Sequence, residues 1–441
     1  MRALTPADDL PVAYAIDFGT TNSLIAAASA ERVWEPLAIE PEGADPTVLR
    51  SVLFFSDDSA GFECGARALR ASVESGARGR LIRSIKRFLP VESFVETRIG
   101  TRRYALEELV AILLRNLRER ANAVVGADVQ SAVLGCPARF SDEPGAHELA
   151  LSRLERAAKL AGFAEVALCE EPVAAALDCA HQTERDELVA VLDLGGGTSD
   201  FTVARLGSGR AEVLSVGGVA VAGDALDGSM MRSSIAPHFG ANVTYRRQFG
   251  ENVLGFPRPL LEKLCSPAEL CLLDRRDTLS FLREIRSSAL GDADRLCMDR
   301  LLCLVEDRLG FRMFEAIDAT KRALSDEDAA PFHFDYPSIE LSFPIQRAAF
   351  EAAIAPALER ILSRLDETLA AAGVSAADVD RVYCTGGTAR VPAFLRAVSA
   401  RFGIDKVRHM STFHAVIQGL GERARSLVAA GELGTQTARP N

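Results

Sequence analysis

Two short turns combine carboxylates, glycines and hydroxyl groups in a way that suits phosphate chemistry. One lies in AIDFGTTNSLIAAAS (15–29) and the other in ELVAVLDLGGGTSDFTVARL (187–206), and each follows a strand-like run with an aspartate near its end, Asp17 or Asp193. Glycines let backbone N–H groups converge on an anion, and hydroxyls add further donors. Because a carboxylate would repel phosphate unless a cation lay between them, the pattern predicts Mg²⁺, held mainly through its waters.

A third turn, TGGTARVP, follows the strand-like residues 382–384 and leads into a helix that we expect to begin near Val391 and Pro392. The N-terminus of a helix presents free N–H groups and partial positive charge to an anion or a polar ring. Neither G-x-x-x-x-G-K-[ST] nor G-x-G-x-x-G occurs in the chain, which argues against P-loop and Rossmann sites. Ordinary polar hairpins are the alternative interpretation of each turn taken alone.

The elements that carry these turns alternate between strands and helices. Helical periodicity spans 105–125 and ends at Gly126, and ELALSRLERAAKLAGF predicts a second helix that ends at Gly162. SAVLGC and EVALCE are typical of strands, and PVAAALDCA is typical of a helix that begins at a proline. Because the strand-turn-strand unit occurs twice, we expect an α/β chain with two similar lobes.

Length and composition indicate a soluble globular protein. The chain has 441 residues, 48% of them hydrophobic and 25% charged, which suits two or three domains. Its net charge of −11 disfavours a nucleic-acid partner. The N-terminus has no apolar signal-peptide region, and no apolar run approaches the roughly 20 residues of a membrane helix, so we expect a cytoplasmic protein without membrane contact.

The cysteines suggest core thiols rather than a metal site. There are nine of them, scattered and mostly within apolar stretches, which predicts reduced, buried side chains. Two pairs, Cys265 with Cys271 and Cys297 with Cys303, are each separated by five residues. Zinc ligands are usually spaced by about two to four residues, so the spacing argues against zinc.

The segments IDFGTTNS, LDLGGGTSDFTVARL, EEPVAAAL and TGGTARVP, in this order, resemble the nucleotide-binding domain of the DnaK-type seventy-kilodalton heat-shock proteins. The likeness covers about residues 12–425, and LIRSIKRFLP (81–90) and DATKRALS (318–325) fit it as well. The resemblance implies a two-lobed actin-like ATPase fold, in which duplicated ribonuclease-H-like βββαβα domains and smaller subdomains flank a cleft. The domains expected from it are lobe one at 1–186, with phosphate hairpin 17–23 and the Lys86 subdomain; lobe two at 187–425, with phosphate hairpin 193–200, an enlarged subdomain at about 228–345 and an adenosine motif at 385–392; and a tail at 426–441.

The resemblance also implies ligands and residue roles. Mg²⁺ would be bound at Asp17 and Asp193, and the phosphates of ATP or ADP by Asp17, Gly19, Thr20, Thr21, Asn22, Gly195, Gly196, Gly197 and Thr198. Lys86 would face the γ-phosphate, and the attacking water and metal would be arranged by Glu171, Asp193, Thr198 and Asp200. Adenosine would be held by Asp318, Lys321, Ser325, Gly386, Gly387, Thr388 and Arg390. Such residues supply the charge neutralisation and nucleophile alignment that phosphoryl transfer needs.

Simpler interpretations exist for the proposed catalytic residues. Lys86 belongs to the basic run RGRLIRSIKR, and charge runs are usually solvated helix faces. Glu171, which precedes Pro172, could merely stabilise a helix N-terminus. Asp200 could be an ordinary turn residue.

The chain departs from the family pattern in several places. Its end, AAGELGTQTARPN, is a polar tail that we expect to be frayed, in place of the family's linker, peptide-binding sandwich and lid. Peptide clamping of the usual kind is therefore not expected. Three family positions are changed: Gly145 replaces a relay arginine, Ala225 replaces the first aspartate of GGxDxD, and Phe413 replaces an aspartate near the C-terminus. The segment between Asp227 and Asp318 is also longer than in the family, and a partner surface and simple packing are both open interpretations.

These observations favour an ATP-binding, chaperone-like ATPase that hydrolyses ATP slowly and couples its nucleotide state to an unknown partner protein. A small-molecule kinase of the sugar or acetate kinase type is one alternative, but no acceptor motif is evident in the sequence. An actin-like scaffold is another, and nucleotide-dependent sedimentation would distinguish it. The sequence does not indicate the oligomeric state.

Overall fold

The computed structural model describes residues 10–43, 45–57, 61–75, 79–141, 143–181, 186–207, 210–247, 251–409 and 414–434. Its strands are β1 (Ala13–Phe18), β2 (Asn22–Ala28), β3 (Leu49–Arg50), β4 (Leu53–Ser56), β5 (Phe62–Cys64), β6 (Gly79–Ile82), β7 (Glu96–Ile99), β8 (Arg102–Ala105), β9 (Ser131–Cys136), β10 (Glu165–Glu170), β11 (Glu187–Leu194), β12 (Ser199–Gly207), β13 (Arg210–Val219), β14 (Thr244–Tyr245), β15 (Leu254–Gly255), β16 (Ala329–Tyr336), β17 (Ile339–Gln346), β18 (Arg381–Thr385) and β19 (Val407–His409).

The α-helices are α1 (Ala66–Glu74), α2 (Leu106–Val125), α3 (Ala146–Leu160), α4 (Glu171–His181), α5 (Gly223–Met230), α6 (Arg258–Leu264), α7 (Arg276–Ser288), α8 (Asp292–Glu306), α9 (Gly310–Asp326), α10 (Arg347–Ala371), α11 (Pro392–Phe402) and α12 (Ala415–Ala429). Short 3₁₀ helices span Ile85–Phe88, Ala236–Phe239, Leu270–Leu273, Gly387–Arg390 and Ile404–Lys406, and Met231–Ile235 form a π-helical turn.

Two five-stranded sheets repeat one strand arrangement. The first has the order β10-β9-β1-β2-β3, and the second has the order β19-β18-β11-β12-β13. In the first sheet, β1 pairs antiparallel with β2 and parallel with β9. In the second sheet, β11 pairs antiparallel with β12 and parallel with β18. The repeat of the strand-turn-strand unit, predicted from the two turn motifs, is therefore confirmed, with Asp17 and Asp193 both one residue before the end of their strands.

The periodicity predictions also agree with the structure. Helix α2 ends where Gly126 adopts a left-handed conformation, φ 77°, which a residue without Cβ accepts easily. Helix α3 ends two residues before Gly162, and the predicted strands form β9 and β10. The helix predicted to begin at Pro172 begins one residue earlier, at Glu171, because proline suits the first turn of a helix.

The chain folds into two compact units. The first comprises residues 1–222 with 360–441, and the second comprises residues 223–359. In the first unit, α4 and α12 contribute to an apolar core that contains small residues of both five-stranded sheets, among them Ala13 and Val189. A second core packs the first sheet against α2 and α3. Both sheets and their turns belong to this unit, whereas the predicted boundary between the lobes stays a prediction.

The second unit is mainly helical. It contains α5 to α9 and the antiparallel hairpin formed by β16 and β17. The long segment between Asp227 and Asp318 contains α6, α7 and α8, with the short strands β14 and β15, so its described part is largely helix.

At the C-terminal side, α12 continues to Ala429, within the range from which a tail was predicted. Leu433 is buried, and the backbone N–H of Gly434 donates a hydrogen bond to Glu165 Oε2 at 2.6 Å. The described part of this segment is therefore packed. Phe413 lies outside the described residues.

Candidate functional site

The first turn joins β1 and β2 through Gly19, Thr20 and Thr21. Strand pairing extends up to Phe18 and Ser23, which holds the turn at the end of a regular antiparallel ladder. At the start of β2, the side-chain Oδ1 of Asn22 is shielded from solvent and has no hydrogen-bond partner among the described residues. A buried amide oxygen without a partner is costly, so this position suits a polar ligand.

The second turn joins β11 and β12 through Gly195 to Thr198 and is closed by a hydrogen bond of 3.0 Å from Gly195 N–H to Thr198 O. It lies directly against the first turn. A Cβ atom on Gly197 would be only 2.7 Å from Thr20 Oγ1, which is closer than Cβ atoms approach in real proteins. Glycine at this position thus lets the two predicted phosphate turns approach each other.

The third turn contacts the second. Thr388 Oγ1 donates a hydrogen bond of 3.0 Å to Gly195 O, and Gly386 has a left-handed φ of 86°. A Cβ atom on Gly386 would be 2.2 Å from Leu194 O. The structure therefore brings all three predicted turns together within the first unit, with Gly387 and Arg390 in the 3₁₀ helix that precedes α11.

A buried ion pair lies beside the turns. Lys86 Nζ is 2.5 Å from Glu171 Oε1, and both side chains are less than a tenth exposed. Lys86 is carried by the 3₁₀ helix Ile85–Phe88, and Glu171 is the first residue of α4. The interpretation of the basic run as a solvated helix face is therefore wrong for Lys86.

Asp200 forms the other buried carboxylate of the site. It accepts a hydrogen bond of 2.9 Å from Ala138 N–H, and its side chain is also hydrogen-bonded to Thr198. Burial, followed by repulsion from Glu171, raises the pKa of Asp200 well above its ordinary value. Asp200 is thus fixed by contacts on two sides and is more than an ordinary turn residue.

Electrostatics link Asp17, Asp193 and Lys86. Burial raises the pKa of Asp17 to about 8, with added repulsion from Glu171 and Asp193, while Lys86 opposes the shift. Burial and Glu171 likewise raise the pKa of Asp193 to about 7, and Lys86 again opposes them. Burial alone would lower the pKa of Lys86, but attraction to Glu171 and Asp17 raises it above its ordinary value. The carboxyl groups of Asp17 and Asp193 are therefore costly to ionise, and a nearby cation would favour their charged forms.

The donor set fits a phosphate ligand with a water-coordinated cation. Among the described residues, no group of three or more His, Cys, Asp or Glu side chains could hold a metal ion. A divalent ion near Asp17 and Asp193 would therefore take most of its ligands from water or phosphate, as Mg²⁺ commonly does. The hydroxyls and glycines of the two turns supply the hydrogen-bond donors that such phosphates need.

Three predicted adenosine residues belong to the second unit. On α9, Lys321 Nζ lies 2.7 Å from Asp227 Oδ1 and 3.1 Å from Asp318 Oδ1, and Ser325 is one turn further along. Burial raises the pKa of Asp227 to about 6 although Lys321 opposes it. Lys321 has a raised pKa because the two carboxylates outweigh its own burial.

Sequence reasoning missed residues that surround Lys86. The Phe140 ring centroid is 5.9 Å from Lys86 Nζ, and the Phe140 N–H donates to His147 Nδ1 at 3.3 Å. Arg153 is buried on α3 and contacts the backbone just after Lys86. Neither residue belongs to a motif, so no local signal could have identified them.

Most of the cysteines are buried, as predicted. All nine lie within the described residues as reduced thiols, and six are buried: Cys64, Cys136, Cys169, Cys179, Cys265 and Cys384. Cys271 is exposed, whereas Cys297 and Cys303 are half-buried.

No helix within the described ranges has the length and apolar character needed to cross a membrane.

Comparisons with known proteins agree on one family. Residues 80–244 and 304–432 match the family model described as Hsp70 protein. A chaperone protein HscA homolog of Bordetella pertussis is 30% identical over 96% of this chain, and that of Bordetella petrii is 28% identical over 94%. The chain spans 59% and 58% of these two relatives, respectively.

Proposed function

Because the chain belongs to the Hsp70 family, and therefore has the predicted actin-like ATPase fold, we propose that it binds Mg·ATP at the three turns and hydrolyses it slowly. Its nucleotide state would regulate a partner protein, and its site of action would be the cytoplasm. The chaperone names of its relatives support this assignment, although the chain corresponds to about three-fifths of their length.

The approach of Gly197 to Thr20 carries the proposal. Two glycine-containing turns from equivalent hairpins lie together, and each follows an aspartate whose pKa is raised by burial and neighbouring carboxylates. This arrangement offers backbone N–H groups and hydroxyls to phosphates, with carboxylates placed for a cation. An ordinary pair of hairpins has no need for two carboxyl groups that are costly to ionise.

The phosphate contacts would come from the first two turns. Thr20, Thr21 and Asn22 would bind from one side, with Gly19 allowing the close approach of the backbone. Gly195, Gly196, Gly197 and Thr198 would bind from the other. Mg²⁺, held near Asp17 and Asp193, would neutralise charge on the phosphate oxygens.

Lys86 would supply the positive charge nearest the transferred phosphoryl group. In the structure its ammonium is paired with Glu171 at 2.5 Å, so the charge is already desolvated and oriented. Thr198 and Asp200 are hydrogen-bonded to each other and would orient the attacking water. Catalysis would thus rest on positioning and charge stabilisation, as is usual for phosphoryl transfer.

The adenosine would contact the third turn. Gly386, Gly387, Thr388 and Arg390 would approach it with little side-chain bulk near the backbone. The family resemblance also assigns polar adenosine contacts to Asp318, Lys321 and Ser325 of the second unit. Asp227 holds the Lys321 ammonium within that unit, which fixes the direction of that side chain.

Calorimetric titration with Mg·ADP and single-turnover phosphate release from Mg·ATP test this function together. We expect both nucleotides to bind and the Lys86→Ala variant to bind Mg·ATP but release no phosphate above background. Lys159→Ala is the matched control, because Lys159 is exposed on α3, and it should behave as the wild type. Failure of both nucleotides to bind would refute the proposal, and wild-type turnover by Lys86→Ala would refute the assigned role of Lys86.

A further inference from the structure

A buried arginine holds the backbone segment that carries Lys86. Arg153 lies in the middle of α3 and is only 5% exposed. Arginine is rarely buried without partners, because removing its charge from water is expensive. The contacts that Arg153 makes therefore indicate what its burial achieves.

Those contacts are mainly backbone carbonyls. Arg153 Nη1 is 2.9 Å from Val91 O, 3.0 Å from Leu89 O and 3.4 Å from Phe88 O. The nearest carboxylate, Glu107 on α2, is 3.8 Å from Arg153 Nε and is bound more closely by Arg156, at 2.8 Å. Arg153 thus acts chiefly on the chain that leaves the 3₁₀ helix of Lys86.

The connection from Arg153 to Lys86 is short. Leu89, whose carbonyl accepts from Arg153, donates its own N–H to the carbonyl of Lys86 at 3.2 Å. All three carbonyls lie within 3.4 Å of the same nitrogen, Nη1, which shares its two hydrogens among Phe88, Leu89 and Val91. Arg153 is thereby tied to the chain just after Lys86.

The entry to the same helix is conformationally strained. Ser84 has a left-handed φ of 54°, which is unusual for a residue with a Cβ, and its carbonyl accepts from Arg87 N–H at 3.1 Å. Such a conformation persists only where surrounding contacts enforce it. Contacts at the exit of the helix, made by Arg153, are well placed to supply that restraint.

We propose that Arg153 is a positioning residue for Lys86. It fixes the backbone after the 3₁₀ helix, so that the Lys86 ammonium reaches Glu171 and the site of phosphoryl transfer without searching other conformations. This inference rests on the proposed function for its effect on hydrolysis, but its effect on the backbone is independent of it.

The main test compares Arg153→Met, which keeps much of the side-chain volume without hydrogen-bond donors, with Arg156→Met on the same helix. Arg156 is exposed and pairs with Glu107 on α2 rather than with the segment after Lys86, so its variant should match the wild type. Arg153→Met should slow single-turnover phosphate release by about ten- to a hundredfold and leave Mg·ADP affinity unchanged. Arg153→Lys retains a hydrogen-bond donor and should release phosphate at a rate between those of Arg153→Met and the wild type.

The rate and the nucleotide affinity together distinguish positioning from general stabilisation. A wild-type rate in Arg153→Met, or an Mg·ADP affinity that falls as much as the rate, would overturn the proposal. Should Arg153→Met fail to fold, Arg153→Lys decides: a wild-type rate in this variant overturns the proposal, and a reduced rate with unchanged Mg·ADP affinity supports it.

Amide hydrogen exchange separates this inference from the proposed function. Exchange of the backbone amides of residues 85–89 and 91 should be faster in Arg153→Met than in the wild type and unchanged in Arg156→Met. Absence of hydrolysis by the wild type would count against the ATPase assignment, while the exchange result would still decide the role of Arg153. Unchanged exchange in Arg153→Met would overturn it.

Discussion

Gly197 in the second turn lies so close to Thr20 in the first that a Cβ atom on Gly197 would be 2.7 Å from Thr20 Oγ1. The next nearest neighbours of that atom, Thr20 Cβ and Arg87 Cγ, would lie at ordinary contact distances of 3.6 and 3.7 Å. A single hydroxyl oxygen therefore accounts for the clash, and the contact between the hairpins can be tested by mutation.

Gly197→Ala should destabilise the protein in the absence of nucleotide by about 1–3 kcal/mol, because the added methyl group overpacks the contact with Thr20. In a Thr20→Ala background, Gly197→Ala should leave the free energy of unfolding almost unchanged, because the clashing oxygen is absent. Denaturant unfolding of the four proteins measures this coupling. Equal costs in both backgrounds would show that the two turns do not meet as described.

Removing one partner of the buried ion pair should destabilise the protein more than removing both. Lys86→Met leaves the Glu171 carboxylate buried without its partner, which should cost about 3–5 kcal/mol. Lys86→Met combined with Glu171→Gln removes both charges and should recover much of that loss. The free energies of unfolding of the two variants and the wild type provide the comparison, and a double variant as unstable as Lys86→Met would contradict the pairing.

The pH dependence of stability should report on Asp227. Its pKa is about 6 in the folded protein against an ordinary 3.8, so the folded state binds this proton more tightly than the unfolded chain. Protonated Asp227 therefore stabilises the folded state; this contribution is complete below pH 3.8 and is lost as the pH rises through 6. Lys321, whose pKa is raised, loses its contribution only in the alkaline range.

Relative to Asp227→Asn, the wild type should therefore lose about 3 kcal/mol of stability across this interval. Other carboxylates titrate similarly in both proteins and cancel in the difference. Thermal unfolding of both proteins from acid to neutral pH provides the measurement. A difference that does not change with pH would mean that Asp227 titrates normally.

Thiol reactivity should follow burial. Ellman's reagent should modify Cys271 first in the native protein, because it is exposed, whereas the six buried thiols should react only after unfolding. Burial raises the pKa of Cys64 to about 12 and that of Cys384 to about 12, which further lowers their reactivity. Rapid reaction of more than three thiols in the native state would contradict this packing.

The turn motifs could be predicted from the sequence because their information is local. Each aspartate, glycine and hydroxyl residue lies within a few positions of the others, and the strand pattern on either side fixes the hairpin. The repeat of this pattern at Asp17 and Asp193 was sufficient to predict two similar strand-turn-strand units, and the structure extends each of them into a sheet with the same strand order.

The environment of Lys86 could not be predicted in this way. Its sequence neighbours are arginines that suggest a solvated surface, yet its partner Glu171 is 85 residues away. Arg153 lies in an ordinary helical pattern, and its carbonyl acceptors are 62 to 65 residues away. Such contacts depend on tertiary packing, which a single sequence does not reveal.

In the proposed site, Asp17 and Asp193 serve one magnesium-bearing nucleotide. Titration of ADP, with and without Mg²⁺, into the wild type, Asp17→Asn, Asp193→Asn and the double variant decides whether they share it. We predict that Mg²⁺ strengthens binding to the wild type, that each single substitution removes most of this gain, and that the double variant is little worse than either. Independent, additive losses from the two substitutions, or a gain from Mg²⁺ that both single variants retain, would contradict a shared site.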